Sequence, residues 1–409
     1  MNARGRIRLL AIRNFRSIAK AELRLRDLTI LVGPNGAGKS NVLDALRFAS
    51  DALSVTPGHA LSLRGGVGAV RRKGLRGHPN DFTIRLEVEL PNQSFGIYAF
   101  TVGALPKGEF SIKHEVCVIH GVGALDRFEF EIEEGRFKLA PRGLEPRISH
   151  DRLALTAVSA KTEFRPMYDF LAGMEFYNLV PELMRRPQDP DPGLVLKRDG
   201  SNAAAVVREL RAGNGELREV CDFLQRVVPG MNGVERIASG TQETLLFKQD
   251  VGDPKGQPLT FLPPSISDGT LRVLGVLLAI YQRSRPPLLG IEEPESTVHP
   301  AAAEVLFDVI QYGTRWSQVI VTTHSPELVE HKDVKIEDLR AVEMERGETV
   351  VTELDEPSKE AIRRRLCTPG DLLRNGHMKT SAKEYQNVPD EPNLFSTELT
   401  DGSPNRDDR

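Results

Sequence analysis

Cysteine is scarce in this chain. Its three residues, Cys117, Cys221 and Cys367, are far apart and form no CxxC pair. That spacing argues against a zinc site or a disulfide framework and fits a reducing cytoplasm. An excess of one charge is also lacking: 54 Lys and Arg stand against 57 Asp and Glu, a formal net charge of −3. Contact with nucleic acid would therefore have to come from a local patch. The longest apolar stretch, Leu271 to Tyr281 around Gly275 and interrupted by Arg272, is too short for a bilayer, which takes about 20 residues. No membrane association is expected. The arginine-rich N-terminus lacks a signal-peptide apolar run, and neither sustained heptads nor an internal repeat is present.

What is there is an ordinary globular composition. With 40% hydrophobic and 27% charged residues, a chain of 409 can bury a sizeable core and hold two or three domains. Residues 6–13 and 28–32 are short, β-branched and apolar, which predicts strands. Residues 55–79, rich in glycine and carrying Arg71, Arg72, Lys73 and Arg76, read as an exposed loop. From 81 to 140 the period changes to two. Ile84, Leu86, Val88 and Leu90 share one face of a half-buried strand, and the segments after it continue an antiparallel meander. Residues 150–230 are more helical, broken by a proline-rich stretch at 187–193. Apolar strands at 288–291 and 318–321 then alternate with helices, an α/β signature. The polar end, from about 385, reads as a disordered tail. The expected division is an N-terminal lobe over 1–150, a helical insert over 151–262, a C-terminal lobe over 263–375 and a tail over 385–409.

The most specific motif follows the strand at 28–32. Gly33-Pro34-Asn35-Gly36-Ala37-Gly38-Lys39-Ser40 matches GxxxxGK[ST] in full, and helical apolar spacing begins after Asn41. Glycines let backbone N–H groups curl around a phosphate where a Cβ would intrude. Lys39 would reach the β- and γ-phosphates of ATP, Ser40 would ligate Mg²⁺, and the helix starting here would point its positive end at the anion. Gly33, Asn35, Gly36, Ala37, Gly38, Lys39, Ser40 and Asn41 are thus the expected nucleotide cradle.

Two further strands end in polar clusters. Glu292-Glu293-Pro294-Glu295 follows Leu288–Ile291, at the carboxyl end where open α/β sheets place their ligand chemistry. Glu292 would hold Mg²⁺ through a water and Glu293 would polarise an attacking water; alternatively this is a charged loop after a core strand. Thr322-Thr323-His324-Ser325 ends the next strand. His324 could sense a γ-phosphate or be solvated. Between phosphate loop and acids, Ser267-Asp268-Gly269-Thr270 starts an apolar helix. It is either an ordinary cap or a donor set for a phosphate.

The order of these motifs, opened by Asn14-Phe15-Arg16-Ser17, resembles the ABC/SMC/RecF/OLD superfamily of P-loop ATPase heads. Glu292-Glu293-Pro294-Glu295 with His299-Pro300, Phe176-Tyr177-Asn178 and Asp199-Gly200-Ser201-Asn202 resembles its OLD-like AAA-family members. The resemblance implies an α/β head with a mainly parallel core sheet, an antiparallel meander and a helical subdomain. It also implies a homodimer sandwiching ATP, with Ser267, Asp268 and Gly269 of one copy facing the triphosphate held by the other. By the same resemblance Asn35 lies near the γ-phosphate, Arg16 approaches the nucleotide, Glu293 is the catalytic base, His324 the switch and Glu295 to Pro300 the loop crossing the interface. Glu292 stands where transporter-type heads have Asp, and the signature is reduced to Ile-Ser-Asp-Gly-Thr.

The neighbouring functions in that superfamily are narrowed by what is missing. No coiled-coil insert interrupts the chain, and 85 residues (409 − 324) are too few after His324 for an appended nuclease domain. The expectation is a compact ATPase acting as a switch or motor in DNA repair or anti-phage defence, with a separately encoded nuclease or effector. DNA contact rests on the resemblance and on the basic N-terminal arm, whose charges equally suit a solvated face. The alternative is a non-catalytic, ATP-gated scaffold that recruits a partner protein.

Overall fold

The computed structural model describes residues 4–74, 79–91, 93–121, 127–141, 143, 147–213, 215–252, 257–388 and 394–399. Two sheets enclose one helix. The core sheet contains β3 (Leu28–Val32), β9 (Glu175–Tyr177), β13 (Leu288–Glu292), β14 (Gln318–Thr323), β15 (Leu339–Glu345) and β16 (Glu348–Thr352), in the order β16-β15-β3-β14-β13-β9. All its pairings are parallel except β15 with β16. The second sheet is antiparallel throughout and carries the meander. It contains β1 (Arg6–Phe15), β2 (Ile18–Arg24), β4 (Asp81–Glu89), β5 (Phe95–Ala104), β6 (Phe110–His120), β7 (Arg127–Glu133) and β8 (Arg136–Leu139), in the order β2-β1-β4-β5-β6-β7-β8.

Helix α1 (Lys39–Ser54) lies between them, buried over most of its circumference. Its Phe48 meets Phe82 edge-on at 5.2 Å, while Leu31, Ile320 and Val342 of the core sheet join the same apolar cluster. A buried amide ties the sheets polar to polar: Gln318 accepts from Ile7 N (2.8 Å) and donates to Ile7 O (2.9 Å). The other face of the core sheet carries the insert and the C-terminal helices. Here α6 (Pro181–Arg185), α7 (Ala203–Arg211), α8 (Glu216–Val227) and a three-stranded sheet of β10 (Met231–Ser239), β11 (Gln242–Gln249) and β12 (Leu259–Phe261) pack with α9 (Asp268–Tyr281). The expected α/β architecture is therefore observed.

Four expectations change. Residues 55–79 are not simply a loop. The Thr56 side chain caps α2 (Pro57–Ser62), α3 (Val67–Val70) follows, and Ala60, Leu61, Val67 and Val70 are buried; Arg76 lies outside the described residues. The region expected to be a helical insert, 151–262, also supplies a strand to the core, where its β9 pairs in parallel with β13 at the edge of the sheet. Strand β4 is covered on both faces: Ile84, Leu86 and Val88 point into the core, and Arg85 and Glu87 are buried as well. What covers that second face is part of the expected tail. Arg85 donates to the carbonyls of Leu394 (3.1 Å), Ser396 (2.6 Å) and Glu398 (3.0 Å), Phe395 stacks on His114, and a helix forms over Ala382–Asn387. A polar segment can dock by its backbone, which hydropathy does not register.

Two shorter helices, α4 (Ala154–Val158) and α5 (Arg165–Ala172), close the lobe against α1.

Candidate nucleotide-binding site

Strand β3 is buried at all five positions and delivers the chain to Gly33 beside the end of β14, where Val32 pairs with Thr323. The glycines of the turn differ in what they face. A Cβ on Gly33 would lie 2.1 Å from Val342 O, and one on Gly38, which has a φ of +99°, would lie 1.9 Å from Thr349 Oγ1. Gly36, at φ +79°, would meet nothing within 4 Å. The outer pair is fixed by packing on β15 and β16, and the middle glycine borders open space. Helix α1 begins at Lys39 with no side-chain cap and no acid in its first turn. Its first N–H groups suit an anion.

Lys39 is 4% exposed, and its Nζ donates to the carbonyls of Gly33 (2.8 Å) and Pro34 (3.0 Å). Burial holds its ammonium below the usual lysine range, opposed by Glu293 and Glu295. Asn41 is engaged within the protein. It donates to Ser17 Oγ (2.6 Å), which donates to Thr349 Oγ1 (2.6 Å), and Thr349 in turn donates to Ala37 O (3.0 Å). Arg16, with φ +50°, likewise turns to the protein: its Nε donates to Asp44 Oδ2 at 2.6 Å. Asp44 also accepts from Arg64 (2.9 Å) and Arg47 (2.7 Å). Burial pushes the Asp44 carboxyl up, but Arg64, Arg47 and Arg16 outweigh it and hold it below the ordinary range.

The acids sit two strands away from β3, at the end of β13. Glu292 pairs with Thr322 across β13 and β14, and burial raises its carboxyl against a hydrogen bond from Ser40. A hydroxyl and a carboxylate side by side form a hard oxygen pair of the kind Mg²⁺ takes. Glu293 has a left-handed backbone, φ +41°, pinned by its N–H on Thr322 O (3.1 Å) and Oγ1 (3.2 Å). That conformation costs about 1–3 kcal/mol at a residue with a Cβ, a strain that recurs at functional sites. Its Oε1 lies 3.2 Å from His324 Nδ1, and Ser296 Oγ donates to its Oε2 at 3.3 Å. Glu295, assigned by resemblance to the interface loop, turns inward instead: it is 7% exposed and accepts from Thr323 Oγ1 at 2.5 Å. Thr297, His299 and Pro300 remain exposed.

The phosphate loop, Ser40, Glu292, Glu293 and His324 therefore meet at the carboxyl ends of three adjacent parallel strands, β3, β14 and β13. The helix start at 267–270 is a separate surface feature. Ser267 Oγ accepts from Thr270 N (3.1 Å), and Asp268 Oδ1 accepts from Arg185 (2.5 Å); both residues are exposed. Gly269 is buried, and a Cβ there would lie 2.7 Å from Thr297 O, so its smallness serves packing on the loop after β13.

Sequence reasoning missed Asp44, Arg64, Arg185 and Thr349, none of which stands in a motif, and it gave no role to Ser17, which closes the Asn14-Phe15-Arg16-Ser17 turn.

The family described as "AAA domain, putative AbiEii toxin, Type IV TA system" matches residues 178–330, which hold the helix start, both acids and His324. The family described as "AAA ATPase domain" matches residues 6–83, which hold the phosphate loop. Among solved structures, an SMC head bound to the C-winged helix domain of ScpA aligns with a TM-score of 0.53 at 15% identity, covering 86% of this chain and 99% of that one. The Old nuclease of Escherichia phage P2 is 22% identical over 357 residues, 80% of this chain and 58% of the nuclease. The chain has the fold of an SMC head and resembles the P-loop ATPase heads of SMC and OLD proteins. Structural maintenance of chromosomes protein 1 of Schizosaccharomyces pombe is 27% identical to the head over 181 residues, 40% of this chain and 14% of that protein. The head thus spans only 14% and 58% of the lengths of these two relatives. Among its described residues no helix is long and apolar enough to cross a membrane.

Proposed function

We propose that this head binds Mg-ATP and hydrolyses it between two copies of itself. The observation that carries the reading is the meeting of an open glycine cradle with Ser40, Glu292, Glu293 and His324 at three neighbouring strand ends. The backbone N–H groups around Gly36 and the start of α1 would hold the phosphates. Lys39 would exchange its two carbonyl acceptors for phosphate oxygens, while Ser40 and Glu292 would hold Mg²⁺. Bound there, the cation would offset charge on the phosphate oxygens. Glu293 Oε1 would take the proton of the attacking water, with His324 Nδ1 beside it to steady the charge.

The dimer is supported by Ser267 and Asp268, which present a hydroxyl and a helix tip at the surface. In a symmetric pair this tip would close over the partner's triphosphate. The biological role we propose is a switch in phage defence or DNA repair, coupled to a separate effector. Its support is the phage nuclease relative and a matched family described as a putative toxin. The N-terminal arm adds little to a DNA-binding reading, because Arg4 and Arg6 pair with Asp27 and Glu89, and Arg16 with Asp44.

The test is Mg-ATP affinity together with phosphate release. Lys39→Ala should weaken binding by at least about 30-fold, since a charge-assisted contact to phosphate is lost. Glu293→Gln should keep affinity, lower turnover by ~10²–10⁴-fold and accumulate an ATP-bound dimer in light scattering. The docking of Lys39 on its own loop favours a second reading, the ATP-gated scaffold. Equal, near-zero release by wild type and Glu293→Gln, with dimerisation intact, would establish that reading instead.

A further inference from the structure

The meander sheet has a second apolar patch on the face opposite Ile84, Leu86 and Val88. Register places Arg85, Ala99 and Val116 in one row across β4, β5 and β6, and Glu87, Ile97 and Val118 in the next. A period of two puts both rows on the same face. Ile97, Val116 and Val118 are buried there as a cluster of their own, apart from the two large cores, and Phe395 and Leu399 pack against it.

The seat of residues 394–399 is built around one cation. Arg85 is 3% exposed, and the carbonyls of Leu394, Ser396 and Glu398, alternate along the segment, converge on its guanidinium. No side chain of the segment takes part in these three bonds, so another chain of the same curvature can make them. Side chains decide what fits: the Phe395 ring lies on His114 with centroids 3.8 Å apart, and Leu399 meets the apolar patch. The seat also survives without its occupant. Arg85 holds Glu87 Oε1 through Nε (3.3 Å) and Nη2 (2.7 Å), so its charge stays paired when the carbonyls leave. The segment is held lightly by comparison, since Phe395 and Leu399 are only partly buried and Glu398 is exposed.

We propose that this face is a docking groove for a short segment of another protein, with the chain's own residues 394–399 as its resident, exchangeable occupant. The segment that fits carries adjacent leucine and phenylalanine, a leucine four positions after the phenylalanine, and no positive charge beside Arg85. The guanidinium gathers its backbone and His114 takes its ring. Only five residues, 389–393, separate the resident segment from Val388, whose carbonyl accepts from Lys20 Nζ at 2.7 Å. So short a tether gives the resident a large advantage over any identical segment in solution. A second copy offers nothing better than the resident, so the occupant that displaces it is a different protein with a tighter fit. The groove lies on the meander sheet and the nucleotide site on the core sheet, so the proposal stands whether or not ATP is hydrolysed.

The probe is a fluorescent peptide of the tail's own sequence, residues 390–402, titrated by anisotropy against the nucleotide-free full chain. A tail on a short link competes at an effective concentration in the millimolar range. Wild type should therefore bind the peptide at least about 10-fold more weakly than Phe395→Ser/Leu399→Ser, whose own tail no longer fits. Leu399→Ser alone, at a partly exposed residue, should fall between them and serves if the double variant does not fold. A peptide with its phenylalanine and the following serine exchanged should bind the released chain at least about 10-fold more weakly, because the ring leaves His114. Arg85→Lys in the released chain should also cost about 10-fold, the fork that gathers three carbonyls being gone. Equal binding to wild type and released chain, indifference to the exchanged peptide, or no binding to a folded released chain overturns the groove. A nucleotide-free wild-type dimer that the peptide dissociates would make a second copy the occupant and overturn the assignment to another protein.

Discussion

Two helix tips in this head are capped in opposite ways. In the meander lobe the start of α4 is capped from a distance by Glu115. Its carboxylate is fully buried and accepts from Ala154 N (2.6 Å), Leu155 N (2.9 Å) and Tyr98 OH (3.0 Å). In the other lobe α9 is capped locally by an exposed serine, and the nearby buried carboxylate, Glu295, keeps one oxygen unused. Burial of an acid is common to both regions and so does not distinguish structure from function. Completion of its hydrogen bonds does: a sealed carboxylate holds a fold, and an unfinished one marks a place where something else arrives.

The sharpest way to break the comparison is to truncate the sealed acid. Glu115→Ala strands two backbone donors and a tyrosine hydroxyl in the core, and should cost about 3–5 kcal/mol in urea unfolding. Glu295→Gln, which keeps an acceptor for Thr323 and removes an unpaired charge, should leave the same measurement within about 1 kcal/mol of wild type or raise it. Comparable losses at the two sites would erase the distinction.

A second effect comes from protons. Burial raises the Glu115 carboxyl from its ordinary 4.5 to about 7, against the opposing pull of its hydrogen bonds. The folded state therefore holds a proton that the unfolded chain has released between those two values. The stability this contributes is complete below pH 4.5, falls as pH rises through about 7 and is gone above it, in total roughly 3 kcal/mol for such a shift. Wild type should lose unfolding free energy from pH 5 to 7, and Glu115→Gln should lose about half of that slope, Glu175 carrying a comparable share. A slope unchanged in the variant would assign it elsewhere, Glu175 being the next candidate because burial raises its carboxyl to about 7 as well.

How much of this was legible in the sequence follows the range of the interactions involved. The phosphate loop and strand β3 were readable at their observed positions, because glycine, lysine and serine at fixed spacing serve one local geometry. The acids and His324 were readable for the same reason, since each ends an apolar strand. The supports were not. Thr349 braces Ala37 across 312 residues, and Glu115 caps a helix about 40 residues away, and neither leaves a periodic trace. The loop expected at 55–79 failed because Gly65 and Gly66, both at positive φ, separate two helices too short to show a period. The inward turn of Glu295 was hidden by the resemblance itself, which assigned Glu295 to Pro300 to an interface.

The smallest stability effect carries the most discriminating prediction, because it decides what the tip of α9 is for. Ser267→Ala removes the acceptor for Thr270 N and should cost about 1 kcal/mol whether or not a phosphate ever reaches this helix. Ser267→Asp separates the two roles. Aspartate caps as well as serine, so unfolding should move by less than about 0.5 kcal/mol, and a negative charge at a helix N-terminus is tolerated or favoured. The same charge would stand beside Asp268 and face the triphosphate of a second copy. Introduced with Glu293→Gln, Ser267→Asp should therefore abolish the ATP-dependent dimer in light scattering while Mg-ATP affinity of the single copy stays within about 3-fold, since the cradle lies at other strand ends. A dimer that persists in that variant would return Ser267 to the role of an ordinary cap, and the closed tip of α4 and the open tip of α9 would then differ in geometry alone.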